Sequence, residues 1–209
     1  MKVLLFGATG GTGRHVLTQA LEAGHHVTVF ARNPAAVTTR HEHLRVVAGD
    51  VTAGDATLAV AVQGQDAVIS ALGRGQTFNS GNLIQQSAPA IVKAMRARDV
   101  SRLIFTSALG VGESIQDAPL FMRLMIRFPL RGIYADKKAG EAHIRNSDLD
   151  WTLVQPVQLT DGGLTRHYRA GERLPLRGIV TISRADTAHF IVDQLTDPSY
   201  IRKVALLAY

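Results

Sequence analysis

Residues 2–13 decide the fold: they read Lys-Val-Leu-Leu-Phe-Gly-Ala-Thr-Gly-Gly-Thr-Gly. The apolar run up to Phe6 is typical of a buried strand, and the glycines after it predict a tight turn that opens a helix. Gly7 permits the turn, Gly10 lets backbone approach a pyrophosphate, and Gly13 lets the helix pack closely on the strand. The helix N-terminus then offers free N–H groups to phosphate oxygens. The stretch therefore predicts a dinucleotide-binding turn.

The residues that follow favour this interpretation over an ordinary glycine-rich turn. Val16, Leu17, Ala20 and Leu21 recur at helical spacing, and Gly24 ends the helix. A second strand then runs from His26 to Phe30, as a dinucleotide-binding strand–helix–strand unit requires.

Strand and helix patterns alternate along the rest of the chain. This order predicts an α/β, Rossmann-like, doubly wound and mostly parallel sheet with helices on both faces. We expect one domain over residues 1–209, with a small substrate-side portion from 109–132 and 156–182. Further predicted strands are Leu44–Val47, Asp66–Ser70, Arg102–Thr106, Trp151–Gln155, Gly178–Ile182 and Val204–Ala208; further predicted helices are Asp55–Val62, Asn82–Arg98 and Ala185–Leu195.

The glycine spacing, Gly-x-x-Gly-x-x-Gly over residues 7–13, resembles the opening of the extended and atypical short-chain dehydrogenase/reductases. Within that group the chain is most similar to the NAD(P)H-binding reductases related to biliverdin-IXβ/flavin reductase. The resemblance covers nearly the whole chain and implies a nicotinamide cofactor and reductase activity.

The end of the second strand indicates which cofactor is preferred. Arg32 follows this strand and no carboxylate stands within reach, so the ribose 2′-phosphate of NADP(H) is favoured over the free hydroxyl of NAD(H). The resemblance implies an arginine at this position in NADPH-preferring members. Arg14 offers a second cation. The alternative for Arg32 is a solvated surface side chain.

Ligands of such sheets bind at the carboxyl ends of the strands. Asp50 and Val51 follow the third strand, where the resemblance implies a border of the adenine; a turn carboxylate is the alternative. It also implies that Ser107, after the fifth strand, lies near the nicotinamide. The residues predicted to bind the cofactor are Gly7, Thr9, Gly10, Gly11, Thr12, Gly13, Arg14, Arg32, Asp50, Val51, Ala71, Leu72, Gly73, Ser107, Lys137 and Pro156.

The candidate catalytic residues are Ser107, Lys137 and Tyr134, and two registers compete. Tyr134 and Lys138 have the Tyr-x-x-x-Lys spacing with which the wider superfamily protonates a carbonyl oxygen. Lys137 instead has the Glu141 that usually follows the family's cofactor lysine, and in this register Ile133 replaces the tyrosine. The biliverdin/flavin reductases lack the Tyr–Lys pair, which favours Lys137.

The favoured register predicts hydride transfer from NADPH to a small organic acceptor that needs little acid help, such as a flavin, quinone or bilin-like compound. The Tyr134 register predicts a carbonyl acceptor. Gln158 stands where the related reductases carry a histidine, so their particular substrate does not carry over. The alternatives are a non-catalytic NADP(H)-sensing regulator and, more weakly, a sugar-nucleotide epimerase.

The segment Pro119–Gly132 has an apolar stripe of Phe121, Leu124, Met125 and Phe128, with Arg123, Arg127 and Arg131 on the other side. The pattern suits a lid over the substrate, a contact with a membrane surface, or packing on the body or a second copy.

Composition limits the other classes of function. The 209 residues carry 23 Lys and Arg against 17 Asp and Glu, a net charge of +6, but no basic run that predicts nucleic-acid binding. The absence of cysteine excludes disulfides and thiolate chemistry. Only His41 and His43 have a chelating spacing, so no metal is expected. We expect a cytoplasmic monomer or homodimer with a small-molecule substrate and no membrane span.

Overall fold

A computed structural model describes residues 1–53, 56–73 and 81–209. Ten strands and six α-helices lie within these ranges. The strands are β1 (Lys2–Phe6), β2 (His26–Ala31), β3 (Leu44–Ala48), β4 (Ala67–Ser70), β5 (Arg102–Thr106), β6 (Asp150–Pro156), β7 (Gln158–Thr160), β8 (Arg169–Gly171), β9 (Thr181–Ser183) and β10 (Lys203–Ala208). The helices are α1 (Gly11–Glu22), α2 (Ala56–Val62), α3 (Leu83–Arg96), α4 (Leu120–Arg127), α5 (Arg131–Arg145) and α6 (Arg184–Asp193).

Eight strands form one sheet in the order β3-β2-β1-β4-β5-β6-β10-β8. All neighbours are parallel except β8, which is antiparallel to β10. The chain moves one way from β1 to β3 and the other way from β4 onward, so β1 and β4 flank the crevice where ligands bind in such sheets. This topology confirms the predicted Rossmann-like fold.

Alternation along β1 divides the core into two layers. Val3 and Leu5 point to the layer covered by α1 and α6, while Leu4 and Phe6 point to the layer covered by α2, α3 and α5. All four side chains are at most 1 % exposed. The sheet is thus buried on both faces, which leaves its carboxyl edge as the place for a ligand.

The sequence-based boundaries need correction in the last third of the chain. The strand predicted at Gly178–Ile182 is three residues long and lies at Thr181–Ser183, and it pairs with β7, which the sequence did not predict. β8 was also missed. Asp55, the predicted start of α2, lies outside the described residues.

Candidate functional site: a cleft along the carboxyl edge of the sheet

The turn after β1 requires glycine at two positions. Gly7 has a φ of +80°, and a Cβ there would overlap the carbonyl of Ala71 at the end of β4. A Cβ on Gly13 would overlap the carbonyl oxygen of Gly7, so the first turn of α1 lies directly on the end of β1. These contacts assign the two glycines the roles predicted from their spacing.

The N-terminus of α1 is left open toward the cleft. Gly10 is its N-cap residue and brings no capping side chain, and the first turn contains no acidic residue. The Gly10 N–H donates to the Gly7 carbonyl at 3.0 Å, which fixes the turn. The following N–H groups lack intrahelical partners and are suited to a pyrophosphate. A dinucleotide therefore fits this end of α1.

A first cavity of about 240 Å³ lies beside this turn, over the ends of β1, β2 and β3. Nine of the predicted cofactor residues line it: Gly7, Thr9, Gly10, Arg32, Asp50, Val51, Ala71, Leu72 and Gly73. Its floor is apolar, with Phe6 and Phe30 in edge-to-face contact at 5.6 Å between ring centroids. The cavity thus has the mixed apolar and polar lining of a small-molecule site.

Arg32 and Asp50 both line this cavity, but they differ in the partners that the protein gives them. The Asp50 carboxylate accepts hydrogen bonds from the Thr52 N–H at 2.9 Å and the Thr52 hydroxyl at 2.7 Å. These bonds, with a smaller contribution from the Arg32 charge, hold the pKa of Asp50 below its ordinary value. Arg32 is exposed and makes no ion pair within the described residues. Its guanidinium is thus available to an anionic ligand.

A second cavity, of about 500 Å³, continues the first toward β5 and α5. The two share Gly10, Ala71, Leu72, Gly73 and Leu83, so they meet at the glycine turn and the end of β4. The second cavity brings together five more of the predicted residues: Gly11, Thr12, Arg14, Ser107 and Lys137. Arg14 therefore lies on this side and not beside Arg32.

Two residues at the end of β5, Thr106 and Ser107, line this second cavity and carry buried hydroxyl groups. Thr106 and Ser107 are 8 % and 5 % exposed, and within the described residues neither hydroxyl has a hydrogen-bond partner. The Ser107 backbone is held by its N–H, which donates to the Val154 carbonyl at 2.7 Å. Buried unpaired hydroxyls are unfavourable unless a ligand supplies the partner.

The structure distinguishes the two neighbouring lysines. Lys137 is half-buried in the wall of the second cavity, whereas Lys138 is exposed and does not line it. Burial lowers the pKa of the Lys137 amine, and the negative charges of Glu141 and Asp136 partly oppose this shift. Asp136 is itself engaged, because it accepts from the Ile84 and Gln85 N–H groups at 3.2 and 2.8 Å.

Tyr134 points away from the cleft. Its hydroxyl donates to the Leu109 carbonyl at 3.1 Å, and Ile133 is the residue of this turn that lines the second cavity. Burial raises the pKa of Tyr134 to about 12. The geometry thus groups Lys137 with Ser107 and leaves out Tyr134 and Lys138.

Two further predicted residues lie outside both cavities. Gly13 is buried against Gly7, and the Pro156 carbonyl accepts from the Leu109 N–H at 3.0 Å. Sequence reasoning missed Arg184 and Asp161, which form an ion pair of 2.7 Å at the rim of the second cavity. The Arg184 side chain crosses α1 at Gly11, where a Cβ would lie 2.7 Å from its Cδ and Nε atoms. No local motif marks this contact, because α6 meets α1 only in the fold.

The fold, the glycine turn and the paired cavities define a Rossmann-type nucleotide-binding protein. The chain belongs to the NAD(P)H-binding family, whose profile matches residues 7–198. This membership confirms the resemblance stated from the glycine spacing.

Three individual proteins illustrate the similarity. The reductase pytE of Aspergillus terreus is 26 % identical over 99 % of this chain and 97 % of its own. A Rossmann-fold NAD(P)-binding family protein from Shigella flexneri is 30 % identical with a TM-score of 0.73, over 99 % and 92 % of the two chains. ChuY, an anaerobilin reductase from Escherichia coli O157:H7, shares the fold with a TM-score of 0.81 at 24 % identity, over 99 % and 96 %.

The described residues form neither a membrane-spanning helix nor a cluster of metal ligands. None of their helices is both long and apolar enough to cross a bilayer. No three ligating side chains among them converge as a metal site would require, although His41 and His43 lie beside each other with ring centroids 5.4 Å apart.

Proposed function

We propose that this chain is an NADPH-dependent oxidoreductase of the short-chain dehydrogenase/reductase type that passes hydride to a small organic acceptor. One observation carries the proposal. A continuous cleft has Arg32 at one end and Ser107 with the half-buried amine of Lys137 at the other, and among the described residues Arg32 forms no ion pair and the buried Ser107 hydroxyl has no partner.

The cofactor assignment rests on the first cavity. The open N-terminus of α1 would bind the pyrophosphate, and the Arg32 guanidinium would bind the 2′-phosphate through its planar donor fork. Asp50 keeps its carboxylate turned to Thr52 and so does not compete for Arg32 as a close ion-pair partner. NADPH, when bound, supplies the hydride.

The acceptor side rests on the second cavity. The Ser107 hydroxyl would donate a hydrogen bond to an acceptor atom that gains negative charge, and the Lys137 ammonium would hold a ribose hydroxyl. Because Tyr134 binds Leu109 instead of facing the cavity, the acceptor is one that needs no phenol as proton donor. Flavins, quinones and bilin-like compounds meet this condition. The similar proteins pytE and ChuY are both described as reductases, which supports the same class of activity.

The test is NADPH and NADH oxidation followed at the reduced-nicotinamide absorbance, with FMN, a small quinone and an aldehyde as acceptors. We expect NADPH turnover with FMN or the quinone. Arg32→Ala should raise the KM for NADPH by roughly tenfold to a hundredfold, the range for a lost hydrogen bond to a charged group, and leave that for NADH nearly unchanged. Arg45→Ala is the matched control, because Arg45 is an exposed arginine on β3 outside both cavities.

A non-catalytic NADP(H)-sensing protein is the second candidate function. Its supporting observation is that Tyr134, the phenol nearest in sequence to the cofactor lysine, is bound elsewhere. This candidate predicts NADPH binding that depends on Arg32 together with no oxidation by any of the three acceptors. Failure to bind either nucleotide would contradict both functions.

A further inference from the structure

The helix α4 is apolar on two sides, and one of them is already packed on the protein. Ile126 is 9 % exposed and fills the space beside Gly110, and Met122 packs against the core. The Arg123 guanidinium is held by the carbonyls of Ala118 and Gln116 at 2.8 and 2.7 Å. These contacts hold the helix in one orientation on the protein. Its outer side therefore faces solvent.

The outer side of α4 is a patch of five large apolar residues. Their exposed fractions lie between 46 % and 80 %, although a soluble surface rarely gathers such side chains together. We define the α4 patch as Leu120, Phe121, Leu124, Met125 and Phe128. An exposed apolar patch of this kind is typical of a surface that binds a membrane or another protein.

The charged residues of the segment that carries the α4 patch are all arginines. Arg127 and Arg131 are exposed at its end, and neither forms an ion pair within the described residues. The sequence from Ala118 to Ala135 contains no aspartate or glutamate. A second copy placed on this patch by a two-fold axis would bring the arginines of one segment toward those of the other, and this segment supplies no carboxylate to pair with them, which is unfavourable.

We propose that the α4 patch docks this protein on an anionic lipid surface. The apolar side chains would enter the boundary between headgroups and acyl chains, and Arg127 and Arg131 would pair with lipid phosphates. The eight residues of α4 are sufficient for this role, because in the proposed arrangement the helix lies on the membrane surface and does not cross the bilayer. The proposal does not depend on the proposed oxidoreductase activity, because the α4 patch shares no residue with the lining of either cavity.

The test is co-sedimentation of the full chain with vesicles of phosphatidylcholine containing about 30 % phosphatidylglycerol, against pure phosphatidylcholine. We expect binding to the anionic vesicles that weakens at about 0.5 M salt. Phe121→Ser/Phe128→Ser should abolish it. Arg127→Gln/Arg131→Gln should weaken it by roughly fivefold for each arginine removed.

Val60→Ser/Lys93→Gln is the matched control, since it removes an exposed apolar side chain and an exposed cation from α2 and α3 and should bind as the parent does. Circular dichroism and NADPH titration establish that each variant is folded. No binding to anionic vesicles by the folded parent overturns the proposal. It is equally overturned if the parent self-associates in light scattering and Phe121→Ser/Phe128→Ser makes it monomeric.

Discussion

At the scale of single residues, adjacent lysines on α5 provide a direct comparison of the two catalytic registers. Lys137 lines the second cavity and Lys138 is exposed. Lys137→Ala should raise the KM for NADPH by roughly tenfold or more, because a charged hydrogen bond to the cofactor is lost, and Lys138→Ala should leave it unchanged. Steady-state kinetics with both variants checks this. A larger effect at Lys138 would contradict the assignment.

Tyr134 completes the comparison. Its hydroxyl serves the Leu109 carbonyl, and with a pKa raised to about 12 it is a weak proton donor near neutral pH. Tyr134→Phe should therefore keep kcat within about twofold while lowering the free energy of unfolding by about 1 kcal/mol, the usual value of one hydrogen bond. Loss of most turnover in a folded Tyr134→Phe protein would restore the Tyr–Lys register.

The Ser107 hydroxyl is expected to act on the rate and not on cofactor binding. Ser107→Ala should lower kcat by roughly tenfold to a thousandfold, as the loss of a donor to a developing negative charge does, with little change in NADPH affinity. Ser87→Ala is the control, because Ser87 is also a buried serine whose hydroxyl lacks a partner in the described part of the chain, but it lies on α3 and lines neither cavity. Equal losses of kcat in the two variants would argue against a role for Ser107.

At the scale of elements, the packing of α1 on β1 depends on the missing side chain of Gly13. An alanine Cβ would overlap the Gly7 carbonyl, so Gly13→Ala must push α1 away from the turn. We expect a loss of about 2 to 3 kcal/mol in the free energy of unfolding and loss of NADPH binding. Gly163→Ala, where a Cβ meets nothing within 4 Å, should be neutral. Urea unfolding and fluorescence titration measure both effects.

How far the sequence predicts an element depends on whether its partners are local. The sequence predicted the turn after β1 and the strand β2 with Arg32 behind it. Such features can be predicted because turn residues and apolar periodicity are recognisable from residues adjacent in the chain. β7, β8 and the Arg184–Asp161 ion pair were not, because each is defined by contacts between segments far apart in the chain. The sequence left open whether Lys137 or Lys138 binds the cofactor, and the structure bears on this only through exposure. Lys137 is half-buried in the wall of the second cavity, whereas Lys138, one residue further along the helix, is exposed.

At the scale of the whole molecule, general rules of chain connection predict the order of the parallel strands. They do not predict the antiparallel strand β8 at the edge of the sheet. Parallel strands joined by right-handed helical crossovers predict the doubly wound order from β3 to β6. The return of β8 beside β10, antiparallel, follows from no local pattern. A buried carboxylate, Asp186, connects α6 with the loop before β8 and with Tyr209 at the end of β10.

Asp186 is fully buried and accepts from the Tyr209 hydroxyl at 2.7 Å, the Thr165 hydroxyl at 2.8 Å and the Arg166 N–H at 2.8 Å. Burial alone would raise its pKa, but these donors outweigh it and lower the pKa of Asp186 to about 2 from an ordinary value of 3.8. The folded state thus favours the ionised form, and this stabilisation is present above about pH 4 and lost as the pH falls toward 2.

Asp186→Asn should therefore lower the free energy of unfolding by about 2 kcal/mol near pH 7, and the difference from the parent should shrink as the pH falls from about 4 toward 2. Asp148→Asn is the control, because Asp148 is exposed and surface ion pairs contribute little. Urea unfolding of the three proteins at several pH values measures the trend. A difference that is independent of pH would mean that Asp186 acts through shape and hydrogen-bond count alone, and not through its charge.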